Sequence, residues 1–372
     1  MAGAVGGLGD TTAPTLTFPN ALPLGDTSCY LEVTTNEGNG TLYYVVTTSV
    51  SNPSAAQVKA GQDHTGAAAA YAGSQAVSST GAQTATGTGL SSATVYYGYF
   101  MHEDAAGNQS AVKALTTFTT LTTGTSDTDF DNLIAAASVA PADLRKGYIA
   151  RFIGALYAAS VWTKIDVMWV LAAHDEQFGR LNWKDPGTYT CTVVNSVTFT
   201  ADRGFAGDGV SGHLDTNFAA DTHAVQFTQD NAHVGVYQRT GGSNGNEPFS
   251  QNNASARIRV AGGTGTSTRA LVNSTTDLNG AAGGTQPLHG MGRRNDATNI
   301  SIMRDGAQTT APTARASVAI STGNMRIGVR NSGNFVTHQV AAAHMGAYLD
   351  DTESLALYNA MHAYMVALGA DT

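Results

Sequence analysis

Short runs in which apolar and polar residues alternate recur along most of the chain, and they constrain its fold more than any other feature. The runs 41–48 and 165–171 both carry an apolar residue at every second position. Because successive side chains of a strand point to opposite sides of a sheet, this period predicts half-buried β-strands. The turn sequences Gly-Asn-Gly at 38–40 and Asp-Gly at 305–306 are typical of antiparallel hairpins. An all-β chain is therefore predicted.

The composition favours cores built from many short strands. Of the 372 residues, 42% are hydrophobic and only 13% are charged, about half the usual charged share. The length indicates two or three domains. The 42 glycines, together with abundant Thr, Ser and Asn, suit tight turns between strands.

Two classes of partner are not expected. The net charge is −9 and basic doublets such as Arg293-Arg294 are isolated in the sequence, so the chain lacks the clustered cations that bind nucleic acid. The longest apolar stretch, 165–173, contains Asp166 and is too short to insert into a membrane. Residues 1–10 lack the features of a secretory signal, so we expect export by another route, such as a particle released by lysis.

The two cysteines, Cys29 and Cys191, are far apart in the sequence. Each lies in an alternating apolar run, which predicts a small buried core residue rather than a disulfide or a metal ligand. They do not indicate the redox compartment.

Composition and turn signals divide the chain into four segments. We predict a flexible arm at 1–10, a β-domain at 11–120, a linker at 121–126 and a larger domain at 127–372. The larger domain is expected to contain helices at about 141–158 and 351–368, packed on each other. About ten strand candidates lie between Ile165 and Ala342 without a helix, which predicts a two-sheet sandwich.

The first domain resembles a known family. Leu90, followed by Tyr96 at the start of a Tyr-rich strand, resembles the tyrosine corner of Greek-key sandwiches. The turn at 103–110, Glu-Asp-Ala-Ala-Gly-Asn-Gln-Ser, is similar to that of fibronectin type III domains and their bacterial immunoglobulin-like relatives. The resemblance implies a spacer or a binding platform.

The second domain resembles concanavalin A-like, laminin G-like jelly rolls in the order of its elements. Five segments are similar to domains of bacteriophage tail and fibre proteins: 150–153, 162–166, 199–205, 214–218 and the closing helix around 357–365. This resemblance implies a structural protein at the virion surface, made in the host cytoplasm. It also implies a receptor-binding fibre or spike, other virion proteins as partners, and a homo-oligomer, by resemblance a trimer.

A sugar site needs an aromatic platform for CH faces and planar polar groups for hydroxyls. Trp183, Tyr237 and Arg239, with Asn244 and Asn246 in a Gly-rich loop, are our candidate glycan ligands. The alternative is that Trp183 is a core residue and that the loop is a plain turn.

Metal binding is a second hypothesis. Laminin G relatives often hold calcium through aspartates, so the resemblance points to Asp208 and Asp215 as Ca²⁺ ligands. His213, His223 and His233 could instead bind zinc, although isolated histidines more often form ordinary hydrogen bonds.

Catalysis is not predicted, and no catalytic residue is assigned. Glycoside cleavage needs two carboxylates across one bond. The second domain has three glutamates, and none has an acid two positions on in a strand-like run. Asp202, Asp208 and Asp215 could converge, but turn capping is the more common role.

The sequence therefore predicts a virion protein, a fibre or spike of a phage or phage-like particle, that adheres to host-surface polysaccharide through its second domain. Two alternatives stay open: a purely structural capsid-decoration or tail-ornament protein without a host ligand, and a polysaccharide depolymerase.

Overall fold

The computed structural model describes residues 10–241, 248–251, 257–261, 268–280, 286–330 and 333–371. Residues 244 and 246 are thus outside the described part. The described chain is mostly β-sheet with six α-helices, as the alternating runs predict. It forms two compact units: the first comprises Met1–Phe130 and Ala142–Gly154, and the second comprises Asp131–Pro141 and Ala155–Thr372.

The first unit contains eight strands and a short helix, together with most of a longer helix described below. Their bounds are β1 Leu16–Pro23, β2 Cys29–Thr35, β3 Thr41–Thr47, α1 Ala55–Lys59, β4 Tyr71–Ala76, β5 Gly81–Gly87, β6 Val95–Glu103, β7 Lys113–Ala114 and β8 Phe118–Thr119. One sheet has the order β1-β2-β5, and the other has the order β4-β3-β6-β7 with β8 also paired to β6. Alternate apolar residues of both sheets form one core, so the predicted immunoglobulin-like sandwich is confirmed.

The tyrosine corner is present as the sequence predicts. The Tyr96 hydroxyl accepts a hydrogen bond of 2.8 Å from the Ser91 backbone N–H, and its ring stacks on Phe118. In the turn after β6, the Asp104 carboxylate accepts hydrogen bonds from the backbone N–H groups of Ala106 and Asn108. The side-chain amide of Asn108, which also donates to this carboxylate, and these backbone donors hold the pKa of Asp104 below its usual range.

Two helices follow. Helix α2 spans Ser126–Ala135 and helix α3 spans Asp143–Ala158, close to the expected helix at 141–158. Within the first unit α3 packs tightly: a Cβ added at Gly147 would lie 2.6 Å from the Leu22 Cβ.

The second unit contains the remaining strands. Their bounds are β9 Ile165–Val170, β10 Thr192–Val194, β11 Val197–Thr200, β12 Gly204–Gly207, β13 His213–Ala219, β14 Ala232–Gln238, β15 Phe249–Gln251, β16 Arg257–Ala261, β17 Arg269–Ser274, β18 Leu278–Asn279, β19 Leu288–Arg294, β20 Asn299–Arg304, β21 Ala307–Ala314, β22 Asn324–Ile327, β23 Val329–Arg330, β24 Asn334–Phe335 and β25 Gln339–Gly346. A 3₁₀ helix spans Trp162–Lys164, and the α-helices are α4 Glu176–Arg180, α5 Ala220–His223 and α6 Asp351–Ala367.

These strands form the predicted two-layer sandwich. A seven-stranded sheet has the order β10-β13-β22-β15-β16-β17-β18. An eight-stranded sheet has the order β11-β12-β25-β14-β19-β20-β21, with β9 also paired to β25. Their inner faces share one core, in which the Trp169 ring meets Phe218 and Phe249 edge to face. The short helices α4 and α5 interrupt a region that we expected to be helix-free.

Helix α6 lies on a sheet. Its Leu355 and Tyr358 approach Gly306 in the β20–β21 turn, and its Ser354 accepts a hydrogen bond from Arg293 on β19. The apolar stripe of α6 therefore covers the outer face of the eight-stranded sheet, a partner that the sequence analysis does not name. Asp350 caps the helix together with Glu353.

Both cysteines are unpaired and buried, as predicted. Burial in apolar surroundings raises the pKa of Cys29 to about 12 and also raises the pKa of Cys191. No helix in the described part of the chain is long and apolar enough to cross a bilayer.

Candidate functional site

The outer faces of the two sheets in the second unit differ in what covers them. Helix α6 covers that of the eight-stranded sheet. On the seven-stranded sheet, strands β10, β13 and β22 instead turn polar side chains outward. We call this set the polar face; it comprises Thr192, His213, Asp215, Asn217, Asn324 and Arg326, all half-buried or exposed.

Strand alternation and register place these residues on one side of the sheet. On β13, Leu214 and Phe218 point into the core, so the side chain of Asp215 points outward. Asp215 pairs with Thr192 of β10 on one side and with Arg326 of β22 on the other. These three residues therefore form a row that crosses three neighbouring strands at right angles to the chain.

Asp215 and Arg326 form an open ion pair at the centre of the row. The Asp215 carboxylate accepts hydrogen bonds of 2.9 Å from the Asn217 N–H and 2.8 Å from the Asn324 amide. Its Oδ2 lies 3.7 Å from Arg326 Nε, beyond hydrogen-bond distance, and the two side chains are 20% and 29% exposed. Arg326 Nε is shielded and has no hydrogen-bond partner among the described residues.

The amide of Asn217, two residues after Asp215 on β13, is held in place by hydrogen bonds. Its Nδ2 donates to the Thr190 carbonyl at 2.7 Å and to Thr192 Oγ1 at 2.9 Å. The backbone of Asn217 has a φ of 57°, a left-handed conformation that Asn tolerates better than most residues. Its Oδ1 thus has a defined direction on an exposed side chain.

An aromatic contact involves His213, two residues before Asp215 on β13. The rings of His213 and Phe335 lie 5.8 Å apart, and both side chains are half-buried. Asp208 shapes the loop that leads to His213, because its carboxylate accepts hydrogen bonds from the N–H groups of residues 210–212. These donors hold the pKa of Asp208 far below its usual range.

This arrangement matches what a sugar offers. A carboxylate accepts hydrogen bonds, a guanidinium donates them, and an amide can do both. Neighbouring hydroxyls of one sugar ring can therefore form hydrogen bonds with these groups at the same time. The ring pair at His213 and Phe335 can cover an apolar CH face. Asp215 and Arg326 cancel each other's charge, which favours an uncharged ligand.

The two aspartates predicted to bind calcium, Asp208 and Asp215, are surrounded by hydrogen-bond donors. The carboxylates of Asp208 and Asp215 are each occupied by N–H donors, and a guanidinium rather than further oxygens lies beside Asp215. Calcium takes six to eight oxygen ligands. In the described residues, the acidic groups close enough to share an ion are Asp10, Glu37 and Asp104, in the first unit.

Three of the predicted sugar ligands serve other roles. Trp183 is fully buried and meets Phe178 and Tyr364 edge to face, so its ring faces are covered. Tyr237 is buried too, and its hydroxyl donates to the Asp371 carboxylate. Arg239 donates to the Ala370 carbonyl at 2.9 Å and to Gln339 Oε1 at 2.8 Å. The candidates Asn244 and Asn246 lie outside the described residues.

The three histidines considered for zinc are separated. His213 belongs to the polar face, and His223 packs on the rings of Tyr189 and Phe218. His233 lies on the opposite sheet, beneath α6, and is hydrogen-bonded to His344. His344 is bonded in turn to His289, and all three rings are fully buried.

No family model matches the chain, and neither does any curated protein. Among solved structures, it is similar to domain 4 of AbnA, a GH43 extracellular arabinanase from Geobacillus stearothermophilus in complex with arabinotriose: 9% identity, TM-score 0.38, covering 52% of this chain and 98% of that one. A botulinum neurotoxin serotype D binding domain has 7% sequence identity and a TM-score of 0.37, and the match covers 55% of this chain and 52% of that one. A Trypanosoma rangeli sialidase has 9% sequence identity and a TM-score of 0.37, and the match covers 74% of this chain and 46% of that one. Likenesses this low carry no argument about ligand or activity.

Proposed function

We propose that the protein is a surface-displayed adhesion protein whose second unit binds an uncharged host-surface glycan on the polar face. The observation that carries this proposal is the open pair of Asp215 and Arg326, held 3.7 Å apart at the surface. Two hydroxyls on adjacent ring carbons can bridge the exposed edges of this pair, one donating to the Asp215 carboxylate and the other accepting from the Arg326 guanidinium. The net charge of −9 further disfavours acidic sugars.

We further propose that the protein is carried on a phage or phage-like particle, as a fibre or spike. Support comes from the sequence segments that resemble phage tail and fibre proteins, including 150–153 and 214–218. The immunoglobulin-like unit would then act as a spacer or anchor. Because a single shallow sugar site binds weakly, several copies on one particle would give the avidity that attachment needs.

The proposed activity is binding without cleavage. The described part of the polar face carries one carboxylate, that of Asp215, with Arg326 beside it. Cleavage of a glycosidic bond usually needs two carboxyl groups at a defined separation. A depolymerase would therefore have to draw its second acid from elsewhere.

A glycan array and a host-cell adsorption assay with the full chain test this function. We expect wild type to bind an uncharged glycan, and both Asp215→Asn and Arg326→Gln to lose at least tenfold in affinity. Asp221→Asn, an exposed acid on α5, is the matched control and should bind as wild type does. All variants should keep the wild-type thermal unfolding temperature.

Each other result has a defined meaning. Absence of binding to host cells and to every glycan contradicts adhesion and favours a decoration protein without a host ligand. Binding that survives both substitutions places the glycan site elsewhere. Release of reducing sugar from host capsule would favour the depolymerase.

A further inference from the structure

The sandwich of the first unit has two edge strands that follow each other in the chain, β4 and β5. Strand β4 is the edge of one sheet and β5 is the edge of the other. An edge strand exposes unpaired backbone N–H and C=O groups, which can pair with another chain. Natural proteins therefore protect such edges with charges, prolines, bulges or short strands.

Strand β5 has none of these protections. From residue 65 to residue 101 the sequence contains no Asp, Glu, Lys, Arg, His or Pro. The seven residues of β5 pair with β2 in unbroken register, from Thr35 opposite Gly81 to Cys29 opposite Gly87. Its outward side chains, Ala82, Thr84 and Thr86, are small and exposed.

Other edge strands in the described chain are protected. Strand β1 has a register shift between Thr17 and Asn20, and Thr116 Oγ1 accepts from the N–H of Ala21 and donates to its carbonyl. Strand β21 contains Pro312 and two register shifts. Strands β10, β11 and β18 have only three, four and two residues.

The edge at β4 is regular as well, but charged residues lie beside it. The segment 59–64 contains Lys59, Asp63 and His64, and Gly61 within it approaches Ala72 of β4. A Cβ added at Gly61 would lie 3.1 Å from the Ala72 Cβ. Among the long edge strands of the described chain, β5 thus has no charge, proline or register shift that would prevent a second strand from pairing with it.

We propose that β5 pairs with β5 of a second copy of this chain, antiparallel about a two-fold axis at Thr84. Such an axis places Thr84 opposite Thr84, and Ala82 opposite Thr86 of the other copy. Self-pairing brings identical sequences together, so any charge would face its own like charge, and β5 carries none. Threonine pairs across antiparallel strands are favourable.

The pairing would join two β1-β2-β5 sheets into one continuous six-stranded sheet. It closes on two copies and leaves no further edge at β5. It is therefore a contact distinct from the three-fold assembly that the phage resemblance implies. It does not depend on glycan binding, because the residues of β5 belong to the first unit and the polar face belongs to the second.

Sedimentation equilibrium of the full chain tests the proposal. We expect wild type to be a dimer, and A82K/T86K and A82E/T86E each to be monomers with unchanged thermal unfolding. Ala82 and Thr86 lie opposite Thr34 and Tyr30, whereas Glu32 lies opposite Thr84 and diagonal to both positions. The same result for the lysine and the glutamate pair therefore excludes an effect of Glu32 alone. An equal mixture of the lysine and glutamate variants should restore dimers, because each lysine then faces a glutamate.

The matched control is S74K/A76K, which places two lysines on the outward side of β4 and should leave the dimer intact. A monomeric wild type overturns the proposal. So does a dimer that survives A82K/T86K, or one that S74K/A76K dissociates. A mixture of the two β5 variants that stays monomeric also contradicts direct β5–β5 pairing.

Discussion

His344 Nδ1 lies 3.0 Å from His233 Nε2, between the eight-stranded sheet and helix α6. On its other side, His344 Nε2 lies 2.8 Å from His289 Nε2, and His233 Nδ1 contacts the Ala347 carbonyl. Since a carbonyl only accepts, His233 Nδ1 must carry a proton. With His233 neutral, the state that burial favours, its Nε2 accepts, so His344 donates from Nδ1 and His289 donates from Nε2. Every ring in this chain of hydrogen bonds is then neutral.

Acid should destabilise the protein through these rings. Burial lowers the pKa of His233 to about 4 and that of His289 to about 3, and it lowers the pKa of His344 as well. The unfolded chain takes up protons near the ordinary value of 6.5. Stability is therefore fully present above pH 6.5 and falls as the pH drops toward 4, by roughly 1.4 kcal/mol per pH unit for each histidine. Urea unfolding across this pH range measures it.

Two variants separate the buried rings from other acid effects. His289→Phe removes the last ring of the chain and should reduce the pH slope by about a third. His64→Gln changes an exposed histidine and should leave the slope as in wild type. A free energy of unfolding that stays constant from pH 7 to pH 5 would contradict the assignment.

Gly235 makes room for His344. A Cβ added at Gly235 would lie 2.2 Å from His344 Cε1, a distance that side chains cannot adopt. Gly235→Ala should therefore cost about 1–3 kcal/mol of unfolding free energy. A double-mutant cycle with His344→Ala checks the cause, because the smaller side chain should relieve the clash. Additive effects would point to backbone strain instead.

The fold could be predicted from the sequence, because strand alternation and the tyrosine corner depend on residues close together in the chain. Asp215 and His213 share a face by their spacing alone. Their partners Arg326 and Phe335 come from strands more than a hundred residues later, which only the strand order of the sandwich brings near. The same holds for the hydrogen-bonded rings of His233, His344 and His289, which come from three strands that are not consecutive in the sequence.

Burial of single aromatic residues could not be predicted in this way. Trp183 lies in a short loop segment without periodicity, so no pattern indicates which way its ring points. The structure places it in the core against Phe178 and Tyr364. The partner of α6 was missed for a related reason: an apolar stripe indicates that a helix is covered but does not identify the element that covers it.

The tyrosine corner should contribute modestly to the stability of the first unit. Tyr96→Phe removes the acceptor of the Ser91 N–H and keeps the buried ring, so we expect a loss of about 1 kcal/mol. Calorimetry of the full chain measures it as a shift of the transition of this unit. Tyr97→Phe, on the opposite side of the same strand, is the control and should have a smaller effect.

Arg293 should be the costliest polar side chain to remove from beneath α6. It is 2% exposed and donates to Ser301 Oγ at 3.0 Å, to the Leu349 carbonyl at 2.9 Å and to Gln308 Oε1 at 2.8 Å, and it also contacts Asp351. Arg293→Met fills a similar volume but leaves these acceptors without their donor, so we expect a loss of roughly 2–4 kcal/mol. Asp351→Asn should cost less than about 1 kcal/mol, because the Asp351 side chain is 71% exposed and water replaces its contact. Equal losses in urea unfolding would show that the ion pair, rather than the hydrogen bonds to buried acceptors, anchors the start of the helix.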